Sequence, residues 1–202
     1  MRIIRLEATT PGVKSLMCDD FRDLYTPRLR LGRLRPDDAP ALCAYRALPE
    51  VARFQSWESY SLDDAARMIA GQVGLIPDTP GTWFQLGIVN ATSGELIGDC
   101  GLHFRADEPR QVELGITLAS AHQGCGFAHE ALESVLDYVF CTLGKHRVFA
   151  ITDSENRPAV NLFARLGFRR EGHFVEHVWY KGAWGSEYLF ALLRREWLER
   201  FS

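Results

Sequence analysis

The 202-residue chain has no run of roughly 20 apolar residues, so no membrane-spanning helix is expected. A signal peptide's pattern is missing too. Met1 to Leu6 mixes charge with short apolar pairs, and neither a longer apolar run nor a small-residue cleavage site follows. Cysteine is sparse: Cys18, Cys43, Cys100, Cys125 and Cys141 are odd in number, widely spaced, and form no C-x-x-C. That argues against zinc ribbons, dithiol redox motifs and a disulfide framework, and a reducing, cytoplasmic setting is expected. Positive charge is not in excess, with 23 Lys and Arg against 26 Asp and Glu and a net charge of -3. A nucleic-acid-binding surface needs concentrated Lys and Arg, so no nucleic-acid partner is expected. The six histidines (His103, His122, His129, His146, His173, His177) show no ligand spacing, and no metal is expected. Internal repeats and low-complexity segments are also lacking.

What remains is an ordinary globular composition, 47% hydrophobic and 24% charged. It suits one domain with a substantial core. Residues 1–24 lack sustained periodicity and contain the turn signal Thr9-Thr10-Pro11-Gly12, so they read as an N-terminal extension to a single domain over 25–202. Arg28 to Leu31 alternates as a first strand, and Pro36-Asp37-Asp38 opens a helix through Leu48. Ser61-Leu62-Asp63-Asp64 resembles a capping box ahead of a helix to about Val73. Trp83–Val89, Glu95–Phe104 and Gln111–Ala119 read as strands in a row. A helix then carries Ala131, Leu132, Val135, Leu136, Val139, Phe140 and Leu143 as one apolar stripe, ended by Gly144. A strand at Arg147–Thr152, a helix from about Pro158 to Gly167, and two strands (about Arg169–Tyr180 and Ser186–Leu193) complete a mixed α+β order.

Between the third strand of that row and the long helix lies Gln123-Gly124-Cys125-Gly126-Phe127-Ala128. Unpaired N–H groups at a helix start, together with the helix dipole, attract anions. The two glycines permit a tight turn and a close approach by phosphate. A dinucleotide fingerprint starting at Gly124 would put His129 where its third glycine belongs, and no G-K-[ST] ends the loop. Both of those phosphate loops fail.

The pattern that fits is Q-x-x-G-x-A, held by Gln123, Gly126 and Ala128 and followed by Glu130-Ala131-Leu132. Here the chain resembles the GCN5-related N-acetyltransferase (GNAT) superfamily, whose coenzyme A loop reads Q/R-x-x-G-x-G/A. The resemblance continues through Asn156, Ala159, Leu162, Phe163 and Leu166-Gly167-Phe168. Thr26 to Leu31 with Asp37-Asp38, and Lys181 to Trp184 through Glu196-Trp197, look like the branch of ribosomal-protein N-terminal acetyltransferases. It covers about residues 26 to 198.

The resemblance implies an α+β fold: a mixed, mostly antiparallel sheet of about seven strands flanked by about four helices, splayed between its two central strands. It implies an N-acyltransferase moving an acetyl or similar short acyl group from acetyl-CoA to a primary amine, on a protein N-terminus or a small molecule. Backbone N–H groups of Cys125, Gly126, Phe127 and Ala128, with Gln123 and Gly124 in the same loop, would hold the pyrophosphate. Ile116, Thr117 and Leu118 would pair with the pantetheine arm, and the N–H near Leu118 would meet the oxyanion. Asn156 would reach the pantetheine from the far side, with Asn161 and Phe163 among the cofactor contacts. Cys125 at a helix start invites a nucleophile reading, but acyl transfer in this family is direct.

Glu113 is the candidate general base, acting through water from a central strand where a carboxylate is costly without a purpose or partner. The general acid departs from the family: Ala159 and Phe163 occupy the positions where relatives carry serine or tyrosine. Water, Asn161, Tyr180 or a histidine would have to protonate the thiolate, or the chain is a non-catalytic CoA-binding module. His177 and Trp179, with Trp57, Trp83, His103 and Tyr180, are candidates for the acceptor side. Trp184 and Trp197 leave a homodimer open.

Overall fold

The computed structural model describes residues 21–200. Cys18 and the Thr9–Gly12 turn lie outside them. Eight strands form one sheet: β1 (Leu24–Tyr25), β2 (Leu29–Arg33), β3 (Thr82–Asn90), β4 (Leu96–Phe104), β5 (Gln111–Leu118), β6 (Arg147–Asp153), β7 (Arg169–Tyr180) and β8 (Ala183–Leu193). Their spatial order is β1-β2-β3-β4-β5-β6-β8-β7. Every pairing is antiparallel except β5 with β6. The helices are α1 (Ala39–Arg46), α2 (Pro49–Ala52), α3 (Leu62–Ala70), α4 (Phe127–Asp137), α5 (Arg157–Arg165) and α6 (Arg194–Glu199). The fold is the mixed α+β sheet that the sequence implied, with the two-residue β1 and the short helices α2 and α6 in addition.

Period-2 alternation places the core. On β5, Val112, Leu114 and Leu118 are buried on one face, against Ala131, Leu132, Val135 and Leu136 of α4. Fully burying side chains of this size is worth about 1.5–3 kcal/mol each. The apolar stripe continues past α4 into a π-helical turn, Tyr138–Thr142, which keeps Val139 and Phe140 buried. The opposite face of the sheet receives α1 and α3, which share a second core through Leu34, Leu42, Tyr45, Ala65 and Ile69. The capping box at Ser61 forms: Asp64 N–H donates to Ser61 Oγ, and Ser61 N–H to Asp64 Oδ2.

The parallel pairing of β5 and β6 is short. It joins Gln111, Val112 and Glu113 to Arg147, Val148 and Phe149. Beyond that, β5 follows β4 as far as Leu118, and β6 follows β8 as far as Asp153. The sheet therefore splits at its centre, and the split leaves room for the site. At the amino end, residues 21–25 pack onto the domain: Phe21 meets the rings of Phe84 and Tyr138, and Leu24 pairs with Leu31. Trp197 is not available to a partner, contrary to the reading from sequence. It is 1% exposed, and its indole N–H donates to Asp137 Oδ1 at 2.7 Å. Trp184 does stay exposed, edge-on to Trp179 at the hairpin of β7 and β8.

Candidate active site

The glycine loop turns as its composition requires. Gly124 has φ +74° and Gly126 has φ +83°, left-handed values that L side chains rarely adopt. Gly126 caps α4, which leaves first-turn N–H groups pointing out of the helix start. Gln123 ties the loop to the end of β5, its side-chain amide donating to Leu118 O at 2.9 Å. Arg28 from β2's approach reaches the same loop, donating to Cys125 O at 3.1 Å and stacking on Phe127. Glu130 holds Arg28 there, accepting from Arg28 N–H and Nε and from Thr26 Oγ1. Burial opposes ionisation of Glu130, but those donors outweigh it and hold its pKa below the usual carboxylate value. The sequence assigns Arg28 no role at the loop, because a carboxylate such as Glu130 in a first helical turn is favoured by the helix dipole and signals no partner.

The β5 backbone next to the loop is open on one side. Ala119 N–H donates to Ile97 O, so residues 119 and 97 form a hydrogen-bonded pair. By antiparallel alternation, Ile116 and Leu118 point their N–H and C=O groups away from β4, into the split. Thr117 faces the other way, pairs with Asp99, and receives Gln55 Nε2 on its hydroxyl at 3.3 Å.

Two cavities meet at this split. The first, about 300 Å³, is lined by Ile116, Thr117, Leu118, Gln123, Gly124, Gly126, Phe127, Ala128, Asn156 and Asn161 among others. It gathers most of the residues that the loop pattern implied, with His122, His129 and Arg165 as cationic or protonatable neighbours. Cys125 does not line it; the Cys125 thiol is exposed and donates to Gln123 O at 3.5 Å. The second cavity, about 320 Å³, carries Leu114, Gly115, Ile116, Ile151, Asp153, Phe163, Tyr180 and Glu187. Phe54, Gln55, Ile116, Asn156 and Ala159 line both. Asn156 sits at this junction while capping α5, its Oδ1 accepting from Ala159 N–H at 3.2 Å.

Glu113 lies on the sheet face that carries α1, opposite His103 on β4, and lines neither cavity. Its Oε2 is 3.3 Å from His103 Nδ1, and His103 stacks on Trp83 with ring centroids 4.8 Å apart. The next residue on Glu113's face towards the second cavity is Gly115, where a side chain would meet nothing within 4 Å. Glu113 is thus two residues along β5, on the same face, from the cavity wall at Gly115.

Ala159 and Phe163 both face the site without a hydroxyl. Tyr180 brings one to the second cavity, but its proton is committed to Asp153 Oδ2 at 2.7 Å. Burial and the Asp153 carboxylate push Tyr180 up to about 12. A phenol that weak is a poor acid towards a thiolate whose conjugate acid lies near 8.5. His177 does not line either cavity; its Nε2 pairs with Glu187 at 2.6 Å. Among the described residues no group of three or more His, Cys, Asp or Glu is placed to hold a metal ion. No described helix is long and apolar enough to cross a membrane.

A central split in the sheet, an open strand edge and a glycine-capped helix start thus meet at one site. The acetyltransferase (GNAT) domain family matches residues 28–169. Over 174 residues the chain is 32% identical to p20, an uncharacterized N-acetyltransferase of Bacillus licheniformis, covering 86% of this chain and 97% of that one. The ribosomal protein uS5-alanine N-acetyltransferase of Escherichia coli (strain K12) is 33% identical over 84 residues, 42% of this chain and 43% of that one. The crystal structure of spermidine N-acetyltransferase from Vibrio cholerae in complex with CoA and spermine superposes with a TM-score of 0.74 at 26% identity, covering 86% of this chain and 99% of that one. The chain belongs to the GNAT acetyltransferase family and is an acetyl-CoA-dependent N-acetyltransferase.

Proposed function

We propose that the chain transfers an acetyl group from acetyl-CoA to a primary amine by direct attack, with Glu113 as general base through water. The observation that carries this reading is the junction of the two cavities at Ile116, Asn156 and Ala159, beside the open edge of β5. The first cavity suits the donor: its glycine loop, first-turn N–H groups and Arg165 complement phosphate. The open edge at Ile116 and Leu118 suits amide-bearing pantetheine, and Asn156, Asn161 and Phe163 lie along the walls. Acetyl-CoA supplies an activated thioester. Glu113 accepts one ammonium proton through water, the free amine bonds to the thioester carbonyl carbon, and Leu118 N–H donates to the oxyanion; as the C–S bond breaks, the second nitrogen proton passes through water to the leaving thiolate. One catalytic domain over 25–202, working in a reducing cytoplasm, fits the free cysteines, among them the fully buried Cys100.

The test is release of free thiol from acetyl-CoA with a panel of amines. Turnover on a primary amine supports the reading. Tight acetyl-CoA binding without turnover on any acceptor supports a CoA-binding module instead, the reading motivated by Ala159 and Phe163.

A further inference from the structure

Arg28 touches the glycine loop without lining either cavity. Its Nη1 donates to Cys125 O at 3.1 Å, and its guanidinium lies 4.5 Å over the Phe127 ring. By field alone this is a poor place for a cation, since a helix start carries positive partial charge. The chain holds it there nonetheless. Glu130 accepts from Arg28 Nε at 2.6 Å and from Arg28 N–H at 2.9 Å, and Thr26 Oγ1 donates to the same carboxylate at 2.6 Å.

The consequence falls on the peptide that Arg28 grips. Cys125 C=O and Gly126 N–H belong to one planar trans peptide, so they point in opposite directions. With the carbonyl drawn to Arg28, the Gly126 N–H is turned to the other side of the loop. Gly126 lines the first cavity, and Cys125 does not. The N–H groups of Gly126, Phe127 and Ala128 meet no acceptor among the described residues. Glycine at 126 tolerates φ of either sign, so by itself it would also permit the flipped peptide. The charged hydrogen bond from Arg28 favours one orientation and polarises the N–H at the far end. We propose that Arg28 is a positioning residue for the donor, holding the Cys125–Gly126 peptide so that the Gly126 N–H meets the pyrophosphate of CoA. This rests on the reading of the first cavity as the donor site. The role needs a fork: Nε serves Glu130 while Nη1 serves Cys125, which the single ammonium of a lysine does not reproduce.

The experiment compares the full chain with Arg28→Lys and Arg28→Met. Calorimetry gives Kd for CoA and for pantetheine, which lacks the phosphates, and thiol release gives kcat and KM for acetyl-CoA. Both substitutions are expected to raise Kd for CoA and KM for acetyl-CoA about tenfold. At saturation kcat is expected to stay within about twofold of the full chain, and so is Kd for pantetheine. Lysine keeps the charge, so a lysine variant that binds CoA as the full chain does would make Arg28 a simple attracting charge and overturn the proposal. Equal weakening of CoA and pantetheine would also overturn it, since that marks damage to the whole site rather than to the loop. So would CoA binding unchanged in both variants. If Arg28→Met does not fold, Arg28→Lys carries the test alone, because it keeps a cation beside Glu130. If no amine releases thiol, direct transfer fails while the two Kd values still decide the role of Arg28. A full chain that binds no CoA overturns the donor reading and the proposal together.

Discussion

Glu113 on β5 and Glu130 on α4 are both carboxylates near the site, yet their surroundings differ. Glu113 has one weak partner, His103 at 3.3 Å, and on its face of β5 the next residue is Gly115, where a side chain would meet nothing within 4 Å. Glu113→Gln preserves shape and removes basicity. It is expected to lower kcat about a hundredfold, with CoA affinity unchanged. A variant with normal kcat would reduce Glu113 to a structural partner of His103. Glu130 instead accepts from Thr26 and Arg28, which lower its pKa. A depressed folded-state pKa gives stability that is present above the unfolded value and lost as pH falls through the folded one. The Tm advantage of the native chain over Glu130→Gln is therefore expected at neutral pH and to vanish on acidification below the ordinary carboxylate range. An advantage that grows in acid would contradict the assignment. Gly126 is a third case: at φ +83°, a side chain there is strained and would also sit 3.4 Å from Arg28 Nη2. Gly126→Val is expected to abolish CoA binding, measured by calorimetry, while circular dichroism stays native-like.

At the scale of elements, the wall between the cavities is held by a buried charge. Asp99, 1% exposed, accepts from Tyr45, from Arg46 Nε at 3.1 Å and from Gln85. Arg46 in turn lies over the rings of Trp57 and Tyr60, and its carbonyl accepts from the Trp57 indole at 3.0 Å. That docks residues 53–60, whose Phe54 and Gln55 line both cavities. Asp99→Leu would leave Arg46 as an uncompensated buried cation, costing about 3–5 kcal/mol in denaturant unfolding. Arg46→Met in that background is expected to recover much of the loss; no recovery would show that the two residues do not act as a pair. None of this was legible in the sequence. Phe54 to Tyr60 has no periodicity, and Arg46 and Asp99 lie on elements 53 residues apart. β5 and α4 were legible because one-sided burial writes a period of two or 3.6 into the residues themselves, and the glycine loop because left-handed turns demand glycine. The opposition of Asp153 to Glu187 depends on strand register between β6 and β8, which local pattern does not encode.

For the whole molecule, the split sheet links ligand binding to global stability. The first cavity draws its walls from β5, the loop before α4, α4 itself, α5 and the segment around Phe54. These are distant in sequence and come together only in the folded chain, so a ligand held there binds the native state and not the unfolded one. A ligand at 100 times its Kd then stabilises by about 2.7 kcal/mol. For a domain of this size each kcal/mol moves Tm by roughly 2–4 °C, so saturating CoA is expected to raise Tm by roughly 5–10 °C. Pantetheine at the same concentration retains the arm that suits the open edge of β5 but lacks the phosphates that suit the loop. Its shift is expected to be much smaller, and to be indifferent to Gly126→Val. Calorimetric scans with the two ligands separate the contributions of strand edge and loop. Equal shifts would place the affinity in the β5 edge and remove the loop from donor binding; no shift with CoA would remove the first cavity from the donor site altogether.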